Sequence, residues 1–537
     1  MKRKTKAILF SLGTAAAAGA GTVLWFKEKM KDPQFNSQVK RKAEVGLKKA
    51  LYGLNSVLPQ YPWPYKDEFV SKNFYEGHKL FRDTSVRGAK WQMGYGREVL
   101  TPDDYLEKDY YLGGYLTMPP STVKQVLDDL CVRAVCLDDG SGRGAVAFAV
   151  IDCVGLSGTD VREIRALLSD FAEENNIVSI NISSTHCHSG VDTQGIWGPL
   201  PQMIKNNVRE IKRGNLDNLI SGRDPEYMDN LHHKTAKAIK DAFASMKPGK
   251  FYYKSIDDLK YSYDKREPNV VIEELTKLHF VPDDGSREIV GAMMAAHPVA
   301  LYPKPNGELS ADYIYYIEEE VNKAGADFIF FQGAQLAVAV DRGFVDGDPN
   351  ERAFKEYGRA IGRYLMNIKA EDEEKILPIL NIRNKELFVP TDNYVMTALL
   401  RAGIVNNTAV RAGEKPTDLM FLTEVGYAEL GKKLRFAMVP GEFAPEMVVG
   451  GTYTAEESYT GEDWPYPPMR DIIEDGADLV VIGLCNDSIG YILPDNDYGC
   501  ILEDKRYEES VSAGSKTGSS VVGAFESLLE DCDRLKK

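Results

Sequence analysis

Two periodicities alternate along the chain. Cys131 to Leu137 and Ala145 to Asp152 are rich in β-branched and apolar residues, and Asp138-Asp139-Gly140-Ser141-Gly142 between them predicts a hairpin. The spacing then lengthens to that of a helix. Thr159 or Asp160 can cap it, and Val161, Ile164, Leu167, Leu168 and Phe171 share one face to about Glu174. A strand from Ile177 to Ser183 follows, and this strand–helix–strand order implies a parallel pair with a right-handed crossover. Further on, the pattern predicts a helix from Pro225 to Met246, a hairpin of Leu275–Val281 with Glu288–Ala296, and a helix from Ser310 to Ala324. A buried strand at Phe328–Phe331, a helix over Glu351–Ile368, and a hairpin of Leu419–Leu430 with Leu434–Val439 come next. A strand at Leu479–Leu484 and a closing helix from Ser519 to Leu535 complete the series. Hairpins mixed with crossovers predict an α/β fold: a single large domain with mixed β-sheets and flanking helices. No fixed-period repeat is visible in the sequence.

The first 85 residues read differently. Lys2, Arg3, Lys4 and Lys6 precede an uncharged stretch, Ala7 to Phe26, whose 20 residues match a bilayer-spanning helix. Two other readings stay open: a signal peptide cleaved near Ala18–Ala20, and a buried soluble helix. Val23-Leu24-Trp25-Phe26 continues the apolar run past the cleavage point, which favours an uncleaved anchor with Trp25 at the interface. The basic cluster predicts residues 1–6 in the cytoplasm and the body outside the membrane, or secreted if the segment is cleaved. Residues 27–85 then form a stalk. Within it, Val39, Ala43, Leu47, Ala50, Leu51 and Leu54 recur at helical spacing beside Lys40, Arg41, Lys42, Lys48 and Lys49. That pattern suits either a helix lying on anionic headgroups or a solvated spacer. Tyr61-Pro62-Trp63-Pro64-Tyr65 ends it, and residues 86–537 form the domain.

Charge sharpens this division. The 537 residues sum to −15, yet residues 1–31 hold seven basic side chains against one acidic, leaving the remainder at about −21. Such an acidic body argues against nucleic acid as a partner. Seven cysteines are too few for a disulfide scaffold; Cys485 and Cys500 could pair, and spacing leaves that open.

With only seven histidines in the chain, their positions are informative. Thr185-His186-Cys187-His188-Ser189-Gly190 follows the strand ending near Ser183, and side chains two apart on extended chain point the same way. His297 ends a second apolar strand before Pro298, and Glu442 follows a third through Val439-Pro440-Gly441. Tyr491 lies beyond a fourth, in Asn486-Asp487-Ser488-Ile489-Gly490-Tyr491. Asp152, at another strand end, could orient such a site. His232-His233 diverge by about 100° on a helix and do not share a ligand. His78 and His279 have no chemical context.

In order along residues 90–525, these positions resemble the neutral ceramidase family, zinc amidases that hydrolyse the N-acyl bond of ceramide. Gly94-Tyr95-Gly96-Arg97 with Thr101-Pro102, and Gly113-Gly114-Tyr115, resemble its glycine-rich opening. Thr185 to Gly190 is similar to its His-Thr-His-Ser-Gly signature, with Cys187 in place of the middle threonine. The resemblance implies His186, His297, Glu442 and Tyr491 as zinc ligands. It puts His188 beside the metal, and Tyr507 and Arg266 against the substrate. Zinc binds nitrogen and oxygen donors and activates water near neutral pH, so the implied activity is cleavage of an amide in ceramide or a related lipid by zinc-bound water.

Two departures bear on the substrate. The family's serine stretch reads Gln332-Gly333-Ala334-Gln335-Leu336 here, with Leu336 at the serine's place. The family also continues into an immunoglobulin-like domain, whereas about 30 residues follow Tyr507. An anchored protein that binds a metal or ligand through the same shell, without turnover, is therefore the alternative. A barrel-type metal amidohydrolase, whose site also opens with His-x-His after a strand, would need further histidines and a late aspartate.

Overall fold

Side-chain size sorts the two faces of the central strands. In the strand Ala145–Ile151, Val146, Phe148 and Val150 enter one core while Ala145, Ala147, Ala149 and Ile151 enter another. Large residues fill the space against a second sheet, and alanines let helices lie close on the opposite face. The computed structural model describes residues 33–536 except 116–118, 258, 302–305, 346–352, 416, 474–475, 500–501 and 503–505. The predicted span 7–26 lies outside the described residues, and among them no helix is long and apolar enough to cross a membrane.

The larger sheet contains β1 (Trp91–Val99), β2 (Cys131–Asp138), β3 (Ala145–Ile151), β4 (Ile177–Ser184), β5 (Lys247–Ile256), β6 (Leu275–Pro282), β7 (Glu288–Met294) and β8 (Ala326–Gln332). Their spatial order is β8-β7-β6-β5-β1-β2-β3-β4, and β9 (Glu374–Ile376) adds to β5. The smaller sheet holds β10 (Leu380–Pro390), β11 (Ala409–Arg411), β12 (Leu419–Leu430), β13 (Leu434–Met438) and β14 (Asp478–Ile482). Its main path is β10-β12-β13-β14, with β11 on β12.

One unit recurs three times in this layout. Three antiparallel strands are followed by a helical crossover to a fourth strand that runs parallel to the third. The units are β1-β2-β3-β4, β5-β6-β7-β8 and β10-β12-β13-β14. No repeat is visible in the sequence because each unit buries different side chains around the same backbone path.

The two sheets pack face to face through Phe148, Phe331, Leu380, Phe436 and Met438, among others. Helices α1 (Pro33–Val57), α2 (Gly158–Leu167), α3 (Pro225–Ala244), α4 (Tyr313–Lys323), α5 (Ala353–Asn367) and α6 (Thr517–Leu535) flank them. Of these, α2, α3, α4 and α5 cover the larger sheet, and α6 covers the smaller one. The result is a layered α/β domain with mixed sheets.

Two regions differ from the sequence expectation. Trp91–Val99 is a strand despite its glycines, because α3 runs directly over it. A Cβ at Gly94 would meet the Ala242 carbonyl at 2.1 Å, and one at Gly96 the Ala238 carbonyl at 2.1 Å. The segment read as a stalk is partly integrated with the domain. The Tyr61 amide bonds to the Arg401 carbonyl, His78 pairs with Ile382, and the Phe81 amide bonds to Leu535 while its ring is buried. Cys485 is a buried free thiol, and Cys500 lies outside the described residues.

Candidate metal centre

Each of the three units delivers a ligand-type side chain from the end of its parallel pair. His186 comes off β4, His297 follows β7, and Glu442 follows β13. Carboxyl ends of parallel strands are where α/β sheets gather functional groups, since the crossovers leave that edge open. His186 sits in left-handed backbone at φ 68°, an uncommon conformation for a residue with a Cβ. Its amide is held by the Cys153 carbonyl at 2.9 Å, so the turn is fixed from the neighbouring strand.

The side chains converge. His186 Nε2 and His297 Nε2 lie 3.0 and 2.9 Å from the same oxygen, Glu442 Oε2. His186 Nδ1 contacts the Val154 carbonyl at 2.6 Å, and His297 Nδ1 contacts the Val338 carbonyl at 2.9 Å. With each Nδ1 held by a backbone carbonyl, each Nε2 is turned toward the shared point, the usual arrangement behind metal-binding histidines. His188 Nε2 is 3.0 Å from His186 Nε2, and the three imidazoles form a group able to hold a metal ion. The resemblance put His188 beside the metal; the geometry also brings it within reach of the same point.

Glu442 is buried, which by itself raises a carboxyl pKa. The charge of His186 and hydrogen bonds from both histidines outweigh that and hold it at about 2. Burial lowers the pKa of His297, against the pull of Glu442. Two nitrogens and an ionised oxygen meeting at one buried point are a donor set that fits zinc.

Tyr491 is the register partner of Glu442, because Glu442–Phe443 and Tyr491–Ile492 pair in parallel. Burial, then the charge of Glu442, pushes its phenol well above the ordinary value, and its ring meets Tyr507 edge-on at 5.8 Å. Tyr507 is 53% exposed, so its ring stands at the mouth. A cavity of about 460 Å³ opens over the cluster, lined by Tyr115, His188, His297, Tyr491 and Tyr507, with Lys265 and Arg342 on its walls.

Arg266 is placed elsewhere. It is buried and absent from the cavity lining, because its guanidinium bonds Asp497 at 2.8 Å, Glu508 at 3.1 Å and Glu509 at 2.9 Å. Those partners anchor the segment that carries Tyr507. Lys265, one residue earlier, faces the cavity instead; the motif marked the right loop, and side-chain alternation chose the neighbour. Nothing local to Arg342 marks it in the sequence. Leu336 is buried and off the cavity lining, its amide bonded to the Phe443 carbonyl at 3.1 Å. Asp152 pairs with Arg133 behind the site.

Asp160, Glu163 and His232 form a second metal-capable group. There Arg223 already pairs with Asp160, so a guanidinium meets the charge a cation would. His233 is exposed on the same helix and contributes nothing to that group, as the helical spacing predicts.

No family model and no curated protein matches the sequence. Among solved structures, the chain is similar to neutral ceramidase from Pseudomonas aeruginosa, with a TM-score of 0.63 at 14% identity, over 84% of this chain and 75% of that one. It is likewise similar to a ceramidase complexed with C2, with a TM-score of 0.60 at 13% identity, over 82% of this chain and 76% of the other. At these identities the likeness is one of fold: the chain is built on the neutral ceramidase fold.

Proposed function

We propose that the chain is a zinc-dependent hydrolase of a lipid-like N-acyl amide, ceramide or a relative. The observation that carries this reading is the meeting of His186 Nε2, His297 Nε2 and Glu442 Oε2 within 3.0 Å under a cavity. In this reading His186, His297, Glu442 and Tyr491 hold the ion, with His188 at its open side. When bound, zinc supplies Lewis acidity, polarising an amide carbonyl and acidifying water. His188 faces the cavity and holds or moves a proton at Nε2, the general acid–base role. Tyr507 offers its hydroxyl to the developing oxyanion, a contribution on the order of 10²–10³ in kcat for one such donor. Arg266 acts on the Tyr507 segment by fixing Glu508 and Glu509. The proposed location is extracytoplasmic, with residues 7–26 as anchor.

The second reading, a binding protein without turnover, is favoured by one observation: aliphatic, buried Leu336 where the family has its serine. Zinc analysis and fatty-acid release from N-acyl lipids by the solubilised chain separate the two. We expect about one zinc per chain, falling below about half in His186→Ala and His297→Ala, since removing a ligand of a four-donor site weakens it severely. Activity is expected to fall with the zinc. Equal hydrolysis by wild type and His186→Ala would sink the enzymatic assignment to this site, and zinc binding with no hydrolysis would select the binder.

A further inference from the structure

A surface helix ordinarily turns its apolar stripe to the core. α1 turns it to solvent. Among its described side chains the two buried ones are polar, Glu44 and Asn55. Glu44 pairs with Lys48 at 2.8 Å, and Asn55 Nδ2 donates to the Tyr394 carbonyl at 3.0 Å, while the Tyr52 ring meets that of Tyr394 edge-on. Ala43, Leu47, Ala50, Leu54 and Val57 recur at spacings of four and three residues and are all exposed, Leu54 by 46% and Val57 by 73%. At about 100° per residue, this stripe lies roughly a third of a turn from the Glu44–Asn55 face on one side. It lies as far from exposed Lys42 and Lys49 on the other. Glu44 is the only acid in the helix, so the outer face carries those two lysines and no carboxylate.

An apolar stripe with lysines at its border suits a helix lying in the headgroup layer of a bilayer. The stripe enters the acyl boundary, and the ammonium groups reach up to the phosphates. Seven residues carry the chain from Phe26 to Pro33, a reach of at most about 25 Å, so a bilayer that holds residues 7–26 has α1 at its surface. A second copy of α1 would bring more lysine to the same face and no counter-charge, whereas an anionic headgroup supplies one. The chain beyond residue 31, at about −21, is repelled by an anionic surface, so a basic strip decides which side comes nearest. That side includes the mouth of the cavity. Arg41 and Arg506 lie over the Tyr459 ring at 4.6 and 5.0 Å from its centroid, and Tyr507 follows Arg506.

We propose that α1 lies on an anionic bilayer surface through Leu47, Leu54, Val57, Lys42 and Lys49, and holds the cavity mouth beside the membrane from which a lipid substrate enters. The nearness of the bilayer rests on residues 7–26 as anchor, and the substrate on the amide-hydrolase reading above.

The test uses the full chain in nanodiscs of phosphatidylcholine, alone or with about 30% phosphatidylglycerol. Trypsin cleavage after Lys42 and Lys49, followed by mass spectrometry, should be about tenfold slower or more with phosphatidylglycerol, and high salt should weaken that protection. Leu47→Glu, Leu54→Glu and Val57→Glu together should remove it without moving the urea midpoint, since all three side chains are exposed. In vesicles containing phosphatidylglycerol, the triple variant should hydrolyse membrane-held N-lauroylsphingosine about tenfold more slowly than wild type. Once neutral detergent dissolves the vesicles, the two should be equal. Equal cleavage of Lys42 and Lys49 in both nanodiscs would overturn the proposal. So would protection that appears without lipid and grows with protein concentration, the mark of a second copy. A triple variant equally slow in detergent would overturn the placement of the mouth. Extraction of the chain from vesicles by alkaline carbonate would overturn the anchor, and a lack of amide hydrolysis the enzymatic reading; trypsin protection is read independently of both.

Discussion

Gly114 shows how closely the backbone is drawn around the proposed centre. It has φ +112°, and a Cβ there would fall 2.6 Å from the Cα of His188 and 2.7 Å from its ring. Gly114→Ala combines a disfavoured conformation with a clash, a local cost of about 1–3 kcal/mol. We expect zinc content to be retained and kcat/KM to fall by about tenfold or more, because His188 is displaced while His186, His297 and Glu442 are untouched. Zinc analysis beside steady-state kinetics checks this; loss of zinc in step with activity would make His188 a ligand. Legibility at this scale followed local geometry. His186 and His188 could be read from their alternation at a strand end. Glu442 and Tyr491 gained meaning only through the resemblance, since a carboxylate after Pro-Gly and a lone tyrosine carry no local signal. Lys265 and Arg342 were not legible, because which of two adjacent loop residues faces a cavity depends on the wall opposite.

Arg133 works between elements. It is fully buried on β2, bonding Asp152 beyond β3 at 2.8 Å and Glu318 on α4 at 2.5 Å, and Glu318 also receives Arg97 of β1. Burial alone would raise the pKa of Glu318, but the charge of Arg133 and the bonds from both arginines outweigh it and hold it low. The network ties the crossover helix of the second unit to the strands of the first. Glu318→Gln leaves the buried Arg133 guanidinium with one carboxylate instead of two, and breaking a buried pair costs about 3–5 kcal/mol. Urea unfolding should show a loss on that scale, and an unchanged midpoint would mean the network is not stabilising. Among the strands, β2, β3, β12 and β13 were readable because they are apolar on both faces. β1 and β10 were not. Glycines that admit α3 interrupt β1, and β10 (Leu380–Pro390) alternates with Asn381, Arg383 and Lys385, whose partners come from residues far away in the chain.

At the scale of the whole molecule, the N-terminal segment straps the smaller sheet through His78. The Ile382 amide donates to His78 Nδ1 at 3.2 Å, so the imidazole must be neutral there. Burial, aided by the charge of Arg143, lowers its pKa from 6.5 to about 4. Above pH 6.5 neither state protonates this group, and its contribution to stability is complete. As pH falls from 6.5 toward 4 the unfolded chain takes up a proton that the fold refuses, so stability drops by at most about 3 kcal/mol. Buried carboxyls pull the other way; burial raises Asp192 and Asp487 to about 6. The comparison with His78→Asn, which keeps an acceptor, isolates the histidine. Between pH 7 and pH 5 the variant's urea midpoint should decline less than the wild type's, and equal declines would remove His78 as the cause.

Local chain chemistry settled which stretches became strands and helices, which residue types could bind a metal, and how acidic the body is. Those depend on neighbours within a turn or two, where side-chain period and backbone preference act directly. Bringing residues 186, 297 and 442 to one point required three similar units in two sheets, packed on one core. The cavity walls were decided the same way, by contacts between segments whose order along the chain says nothing of their separation in space.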